Sequence, residues 1–301
     1  MKKNKTMIVC FLLPALAFFI LVFLYPICRT ILMSFFKIEG VTDPIFKWTF
    51  VGFGNFNKLL HTSLFMTSLW NIFRIWFIGG LAVMALALLF AVILTSGIRF
   101  KSFFRAAIYM PNVVSAVALA TMWLQYVYNP RFGLFKSFFE AIHLDRIAGI
   151  QWLDNAHKFW ALLIAYCFGM VGYHMLIFTS GIERISTEYF EAATLDGAGK
   201  VKQFLHITLP LIKGVFKTNI TMWSVTSAGF FVWSQLFSTV TADTQTITPM
   251  VYMYMQVFGA GNSVTEHNAG MGAAVGIILS LFVVIIFTIC NKLIRDDDLE
   301  F

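Results

Sequence analysis

"EAATLDGAGKVKQFLHITLP" (Glu191–Pro210) is the most polar long stretch in a chain that is otherwise oily. From Glu188 to Ala198 the spacing predicts a helix. Tyr189, Ala192 and Ala193 share one side, and Glu188 and Glu191 lie on another, three residues apart. Gly197 and Gly199 carry no side chain and permit a positive φ, so this helix can stop and turn. "KVKQFLHI" predicts a second short amphipathic helix, with Val201, Phe204, Leu205 and Ile207 set against Lys200, Lys202 and His206. Pro210 has no amide hydrogen and fits the first turn of a following helix. The product is a helix–turn–helix elbow between two greasy segments. Physical chemistry alone supports two uses for it. Small alanines and charges suit the docking of another protein, and an amphipathic hairpin also suits the capping of a membrane.

The flanks set the environment. The 301 residues are 59% hydrophobic, 17% aromatic and only 12% charged, with a mean hydropathy of +0.78. Soluble domains carry about 25% charged residues, so the natural solvent here is a bilayer. Six segments are long enough to cross a hydrocarbon core, which needs roughly 20 apolar residues. They lie near 7–36, 69–97, 106–128, 158–182, 209–238 and 272–291. The basic start, apolar run and "ALA" at Ala15–Ala17 imitate a signal peptide. The apolar run continues to Leu24, which reads instead as an uncleaved anchor.

The net charge of +7 does not point to nucleic acid, because the basic residues are scattered among apolar segments. They act as topology signals. With the N-terminus inside, the inner segments 1–6, 98–105, 183–208 and 292–301 hold 11 Lys/Arg in 50 residues. The outer segments 37–68, 129–157 and 239–271 hold 6 in 94. Both termini and the elbow are therefore expected in the cytoplasm. The expected organisation is an N-terminal span with its outer loop (1–68), a five-span core (69–291) with the elbow at 183–208, and a cytoplasmic tail (292–301). Arg29, Arg74, Lys158, Lys213 and Lys217 fall toward span ends, where long side chains snorkel to the interface. Arg29 and Arg74 are also open to a functional role. "FGLFKSFFEAI" in the second outer loop predicts an amphipathic helix along the membrane surface.

Catalytic and metal chemistry find little support. Cys10, Cys28, Cys167 and Cys290 show no C-x-x-C spacing and read as buried thiols, and the six histidines form no H-E-x-x-H. "GAGK" imitates a P-loop, but Thr194 stands where its first glycine belongs and Val201 where its Mg²⁺-binding hydroxyl belongs. No catalytic, metal or nucleotide site is assigned to this chain.

Two spans carry aromatic and polar groups at helical spacing. Tyr166, Met170 and Tyr173 recur at i, i+4, i+7 with Gly169 beside them. Trp223, Ser227 and Phe230 do the same, and Asn219 and Gln235 extend the stripe. Polar groups at that depth are costly unless they face protein or a water-filled cavity. Flat rings with hydroxyl and amide groups suit a sugar pocket, and ordinary helix packing would use the same residues.

The elbow resembles the EAA loop of permease subunits from binding-protein-dependent ABC importers. The shared pattern is Glu191-Ala192-Ala193, then Asp196-Gly197, then Ile207-Thr208-Leu209-Pro210. "VGFGNFNKLL" after the first span, and the order of spans, resemble the carbohydrate-uptake branch, the maltose and glycerol-3-phosphate type. The family often has proline on the approach to E-A-A. This chain has "RISTEYFEAA", where Ser186-Thr187 can supply an N-cap instead.

The resemblance implies an all-α, multi-pass permease of the bacterial cytoplasmic membrane. It implies partners as well: a second, different permease, two cytoplasmic ATPase subunits that hold ATP and Mg, and an external binding protein that delivers a sugar or oligosaccharide. It implies that the elbow sits in a cleft of the ATPase, with Glu191 in polar contact, Ala192 and Ala193 allowing close docking, and Gly197 forming the bend. Asp196, Leu209 and Pro210 complete the motif. Substrate would lie on the spans flanking the elbow, at Tyr166, Gly169, Met170, Tyr173, Asn219, Trp223, Ser227 and Phe230. An ion-coupled secondary transporter would need intramembrane carboxylates, and none falls in the span cores. A non-transporting membrane scaffold would use the elbow only as a docking site.

Overall fold

Helix dominates the computed structural model, which describes residues 5–40, 42–238, 240, 242–259 and 267–294. In chain order the helices are α1 (Lys5–Phe19), α2 (Tyr25–Met33), α3 (Gly54–His61), α4 (Ser63–Arg74), α5 (Gly80–Thr95) and α6 (Lys101–Val113). Then come α7 (Ala116–Met122), α8 (Leu134–Ala141), α9 (Asp145–Ala148), α10 (Lys158–Ile182), α11 (Thr187–Leu195) and α12 (Lys200–Gln203). The last are α13 (Leu209–Leu211), α14 (Lys213–Ala228), α15 (Val232–Phe237), α16 (Pro249–Phe258) and α17 (Ala269–Leu293). A two-residue hairpin, β1 (Phe36–Lys37) and β2 (Thr49–Phe50), pairs antiparallel with Phe36 opposite Phe50.

Among the described residues, four helical runs are long and apolar enough to cross a membrane: Cys10–Met33, Ser63–Thr95, Lys158–Ile182 and Ala269–Leu293. A fifth candidate is the pair Lys101–Val113 and Ala116–Val127, bent by 98°. This differs from the six uninterrupted spans expected. The segment 106–128 is broken because Pro111 removes a backbone donor in α6 and Ser115 caps a new helix, accepting from Ala118 N at 3.3 Å. The segment 209–238 is broken at Ile212 and again at Gly229–Phe231, which leaves α14 with 16 residues. That is about 24 Å of helix, short of the roughly 30 Å core. The carbonyl freed at Phe230 is not left bare, since Thr248 Oγ1 donates to it at 2.6 Å. Such repair is what lets a helix break inside a membrane protein.

The chain forms two units. One contains residues 1–66 and 249–281, the other 67–248 and 282–301. The return of 249–281 to the N-terminal unit is a long-range event that no local pattern announces. In that unit Asn55, from the "VGFGNFNKLL" stretch, is a buried pin. Its Nδ2 donates to Ser34 O at 2.8 Å and Phe36 O at 2.9 Å, and its Oδ1 accepts from Asn268 Nδ2 at 3.1 Å. Gly270 lets the start of α17 meet the hairpin, for a Cβ there would overlap Phe36 O. Cys10 and Cys28 are exposed, contrary to the expectation of buried thiols, because no other described residue packs over the stretch 10–32.

In the second unit α10 is the hub. It packs on α5, α6, α14 and α15 within one apolar core. Gly172 allows α6 to cross closely, since a Cβ there would lie 2.4 Å from Ile108 O. Lys158 does not snorkel as expected. It is 2% exposed, and its ammonium lies 2.7 Å from the carboxylate of Asp243, itself 6% exposed. Arg74 is likewise committed to structure. Its guanidinium stacks over Phe159 and donates to Asn71, whose Nδ2 binds Thr244 O and Ile247 O at 2.9 Å each. The helix α8, expected to be apolar along one side, is not apolar on one side alone. Phe135 turns inward against Trp123, Tyr128 and Trp152, while Phe132, Leu134, Phe138 and Ile142 stay exposed.

Candidate functional site: the elbow and the helices it joins

Ser186 starts the elbow as the N-cap of α11, accepting from Glu188 N at 3.4 Å. The chain leaves α11 through a left-handed glycine. Gly197 has φ +77°, Ala198 N donates to Ala193 O at 2.8 Å, and Gly197 N donates to Thr194 O at 3.0 Å. This pair of bonds is a Schellman stop. Gly199 does not share that task. It is extended, at φ −69° and ψ 166°, and caps α12. Pro210 also sits elsewhere than expected. It lies in the last turn of a helical run over 200–211, behind a wide π turn at Phe204–Thr208, and α14 restarts at Lys213.

No local pattern announces the residue that holds the two arms together. Gln203 is 5% exposed, and its Nε2 donates to Thr194 Oγ1 at 2.9 Å and Ala198 O at 3.0 Å. Phe190, Ile207 and Leu211 anchor the elbow to the core. Away from the core, Glu191, Ala192, Asp196 and Gly197 are exposed and Ala193 is half-buried. Leu195 is 90% exposed and Val201 72%. Bare leucine and valine thus stand beside the exposed carboxylates of Glu191 and Asp196. Just before the elbow, Glu183 binds Lys101 Nζ at 2.6 Å and Arg105 Nη2 at 2.8 Å, which ties the end of α10 to the start of α6. Hydrogen bonding from Lys101, with Arg105 beside it, holds the Glu183 carboxyl below the usual carboxylate range.

The two stripes flanking the elbow come together. The Tyr166 ring lies 5.4 Å from Trp223 and 4.7 Å from Phe230, centroid to centroid. His174 Nδ1 donates to Asn219 Oδ1 at 2.7 Å, a partner that sequence reasoning missed. Trp223 Nε1 donates to Trp76 O at 2.8 Å, and Trp76 Nε1 to Ser224 Oγ at 2.9 Å. Gly80 makes room for Trp223, because a Cβ there would lie 2.6 Å from its indole nitrogen. Tyr166, Gly169, Asn219, Trp223, Ser227 and Phe230 are all buried, the three aromatic rings on one another, Asn219 on His174, and Gly169 against Leu119 and Trp233. Met170 and Tyr173 are half-exposed, and Met222, Val225 and Thr226 form the open face of α14.

Residues 84–296 match the family described as binding-protein-dependent transport system inner membrane component. The chain belongs to this family. The diacetylchitobiose uptake system permease protein NgcF of Streptomyces coelicolor is 27% identical over 303 residues, 96% of this chain and 83% of its own. A probable starch degradation products transport system permease protein, AmyD of Thermoanaerobacterium thermosulfurigenes, is 28% identical over 99% of this chain and 97% of its own. A solved bacterial ABC transporter involved in the import of the acidic polysaccharide alginate matches at TM-score 0.80 and 18% identity, over 98% of this chain and 97% of that one. At that identity the likeness speaks for the fold.

Proposed function

We propose that this chain is one permease subunit of an ATP-driven importer for a sugar or oligosaccharide. The single observation that carries the reading is the elbow, capped at Ser186, stopped at Gly197, locked by Gln203 and uncovered at Leu195 and Val201. A rigid element with a bare apolar tip, joined directly to α10 and α14, transmits force when a partner grips it. The names of the relatives, which concern oligosaccharide uptake, support the substrate class.

In this reading the chain crosses a bacterial cytoplasmic membrane six times with both termini inside, the broken 209–238 segment counting as one crossing. It pairs with a second, different permease and two ATPase subunits, which hold ATP and Mg. An external binding protein delivers the sugar. Glu191, Ala192, Ala193, Asp196 and Gly197 meet the ATPase, and Leu209–Pro210 carry the motion to α14. Sugar is held along α10 and α14, with Met170 and Tyr173 presented directly. The Tyr166–Trp223–Phe230 cluster either backs them or opens in another state of the cycle. The outer loops receive the binding protein.

The reading is tested by uptake of a labelled carbohydrate panel into proteoliposomes that contain the co-purified complex, external binding protein and internal ATP. Uptake of one carbohydrate class that needs both ATP and binding protein is expected. Uptake that follows a proton or sodium gradient without ATP would replace the reading with secondary transport.

A further inference from the structure

A groove of about 760 Å³ opens where the elbow meets α14 and the end of α17. Among the described residues its wall is apolar, formed by Pro210, Phe216, Ile220 and Leu293, and its only charged groups are Lys213 and Lys292. No hydroxyl or amide side chain lines it, so it offers a sugar nothing to bind. Neither lysine has a carboxylate within ion-pair distance among the described residues. The cations of the neighbouring inner loop, Lys101 and Arg105, by contrast share Glu183.

We infer that this groove holds an anionic phospholipid, its acyl chain on the apolar wall and its headgroup phosphate between Lys213 and Lys292. The inference rests on the inside position proposed above for the elbow and for the end of α17. Apolar wall and cations together demand an amphiphile of negative charge, and the inner leaflet supplies one at high local concentration. Each lysine held near an anionic lipid surface strengthens binding roughly fivefold. Pro210 and Lys213 flank the helix break at Ile212, where φ is −95° and ψ 15°. A lipid seated there braces the joint through which the elbow moves α14. The competing occupant is the acidic C-terminal segment of this chain, with Asp296, Asp297, Asp298 and Glu300, which lies outside the described residues.

The test is native mass spectrometry of the full-length chain, with its co-purifying subunits, released from nanodiscs of equal parts phosphatidylglycerol and phosphatidylcholine. The chain should retain phosphatidylglycerol in preference. The Lys213→Gln/Lys292→Gln variant should lose that preference by roughly fivefold or more. Lys202→Gln, which removes an exposed elbow cation outside the groove, should keep it, and so should deletion of residues 295–301. A preference unchanged in the double variant would overturn the inference. So would a preference that is absent in the full chain and created by the deletion, which would assign the groove to the tail. Lipid retention is read without transport, so a failed uptake assay and a failed lipid assay point to different errors.

Discussion

Removing the carboxylate of Asp243 leaves the Lys158 ammonium buried at 2% exposure with its 2.7 Å counterion gone. Asp243 Oδ1 also accepts from Gln245 N at 3.0 Å, so the loop after α15 loses an anchor as well. Breaking one side of a buried pair costs about 3–5 kcal/mol, most of it the stranded charge. At roughly 2–4 °C per kcal/mol for a domain of this size, Asp243→Ala should lower the Tm by on the order of 10 °C. The assay is intrinsic tryptophan fluorescence during heating of the detergent-solubilised protein. Lys158→Met alone should be costly too, because it strands the carboxylate. The double variant Lys158→Met/Asp243→Leu should recover much of the loss, since apolar groups of similar volume replace such pairs at little cost. A Tm for Asp243→Ala within about 2 °C of wild type, with no coupling in the double-mutant cycle, would refute the buried pair.

Three further outcomes follow from geometry. Gly80→Ala places a Cβ 2.6 Å from Trp223 Nε1, so overpacking of about 1–3 kcal/mol should appear as a lower Tm and altered tryptophan emission. Gln203→Ala removes two bonds between the arms of the elbow, and hydrogen exchange over 187–203 should speed up about fivefold or more, as a loss of about 1–3 kcal/mol requires. Glu183 has a depressed pKa in the fold, so its contribution is present above the ordinary carboxylate pKa and is lost as pH falls through the lower folded value. Stability curves of wild type and Glu183→Gln should stay apart by no more than about 1 kcal/mol at neutral pH, as exposed pairs do, and converge in acid.

What could be read from sequence was local. The span at 158–182, the cap at Ser186 and the turn at Gly197 each depend on a few adjacent residues, and each stands where the pattern put it. Misreadings arose where a distant residue decides. Lys158 resembled a snorkelling span end because Asp243 lies 85 positions away. The breaks at 114–115 and 229–231 were hidden within apolar runs, since the contacts around them reach across the fold: Asn112 Nδ2 donates to Gly169 O beside the first, and Thr248 Oγ1 satisfies Phe230 O at the second. The aromatic stripes of α10 and α14 were legible as faces, but a helical face does not say whether it meets substrate or another helix. Here Tyr166, Trp223 and Phe230 meet one another. Gln203 carries no local signal, because only the folded turn brings Thr194 and Ala198 to its amide.

The central claim is that the elbow couples hydrolysis on a partner to movement of this chain. Gly197→Asp tests it most directly. The substitution puts a charged side chain at φ +77°, a conformation worth about 1–2 kcal/mol against an L residue, and it lies at the tip the partner must grip. ATP-driven uptake should be measured in proteoliposomes of wild type and variant, with the amount of assembled complex fixed by quantitation. The account predicts that uptake is abolished while the chain stays folded in the membrane and the binding protein still docks outside. Undiminished ATP-driven uptake in the variant would contradict it and return the elbow to a hairpin that only caps the membrane.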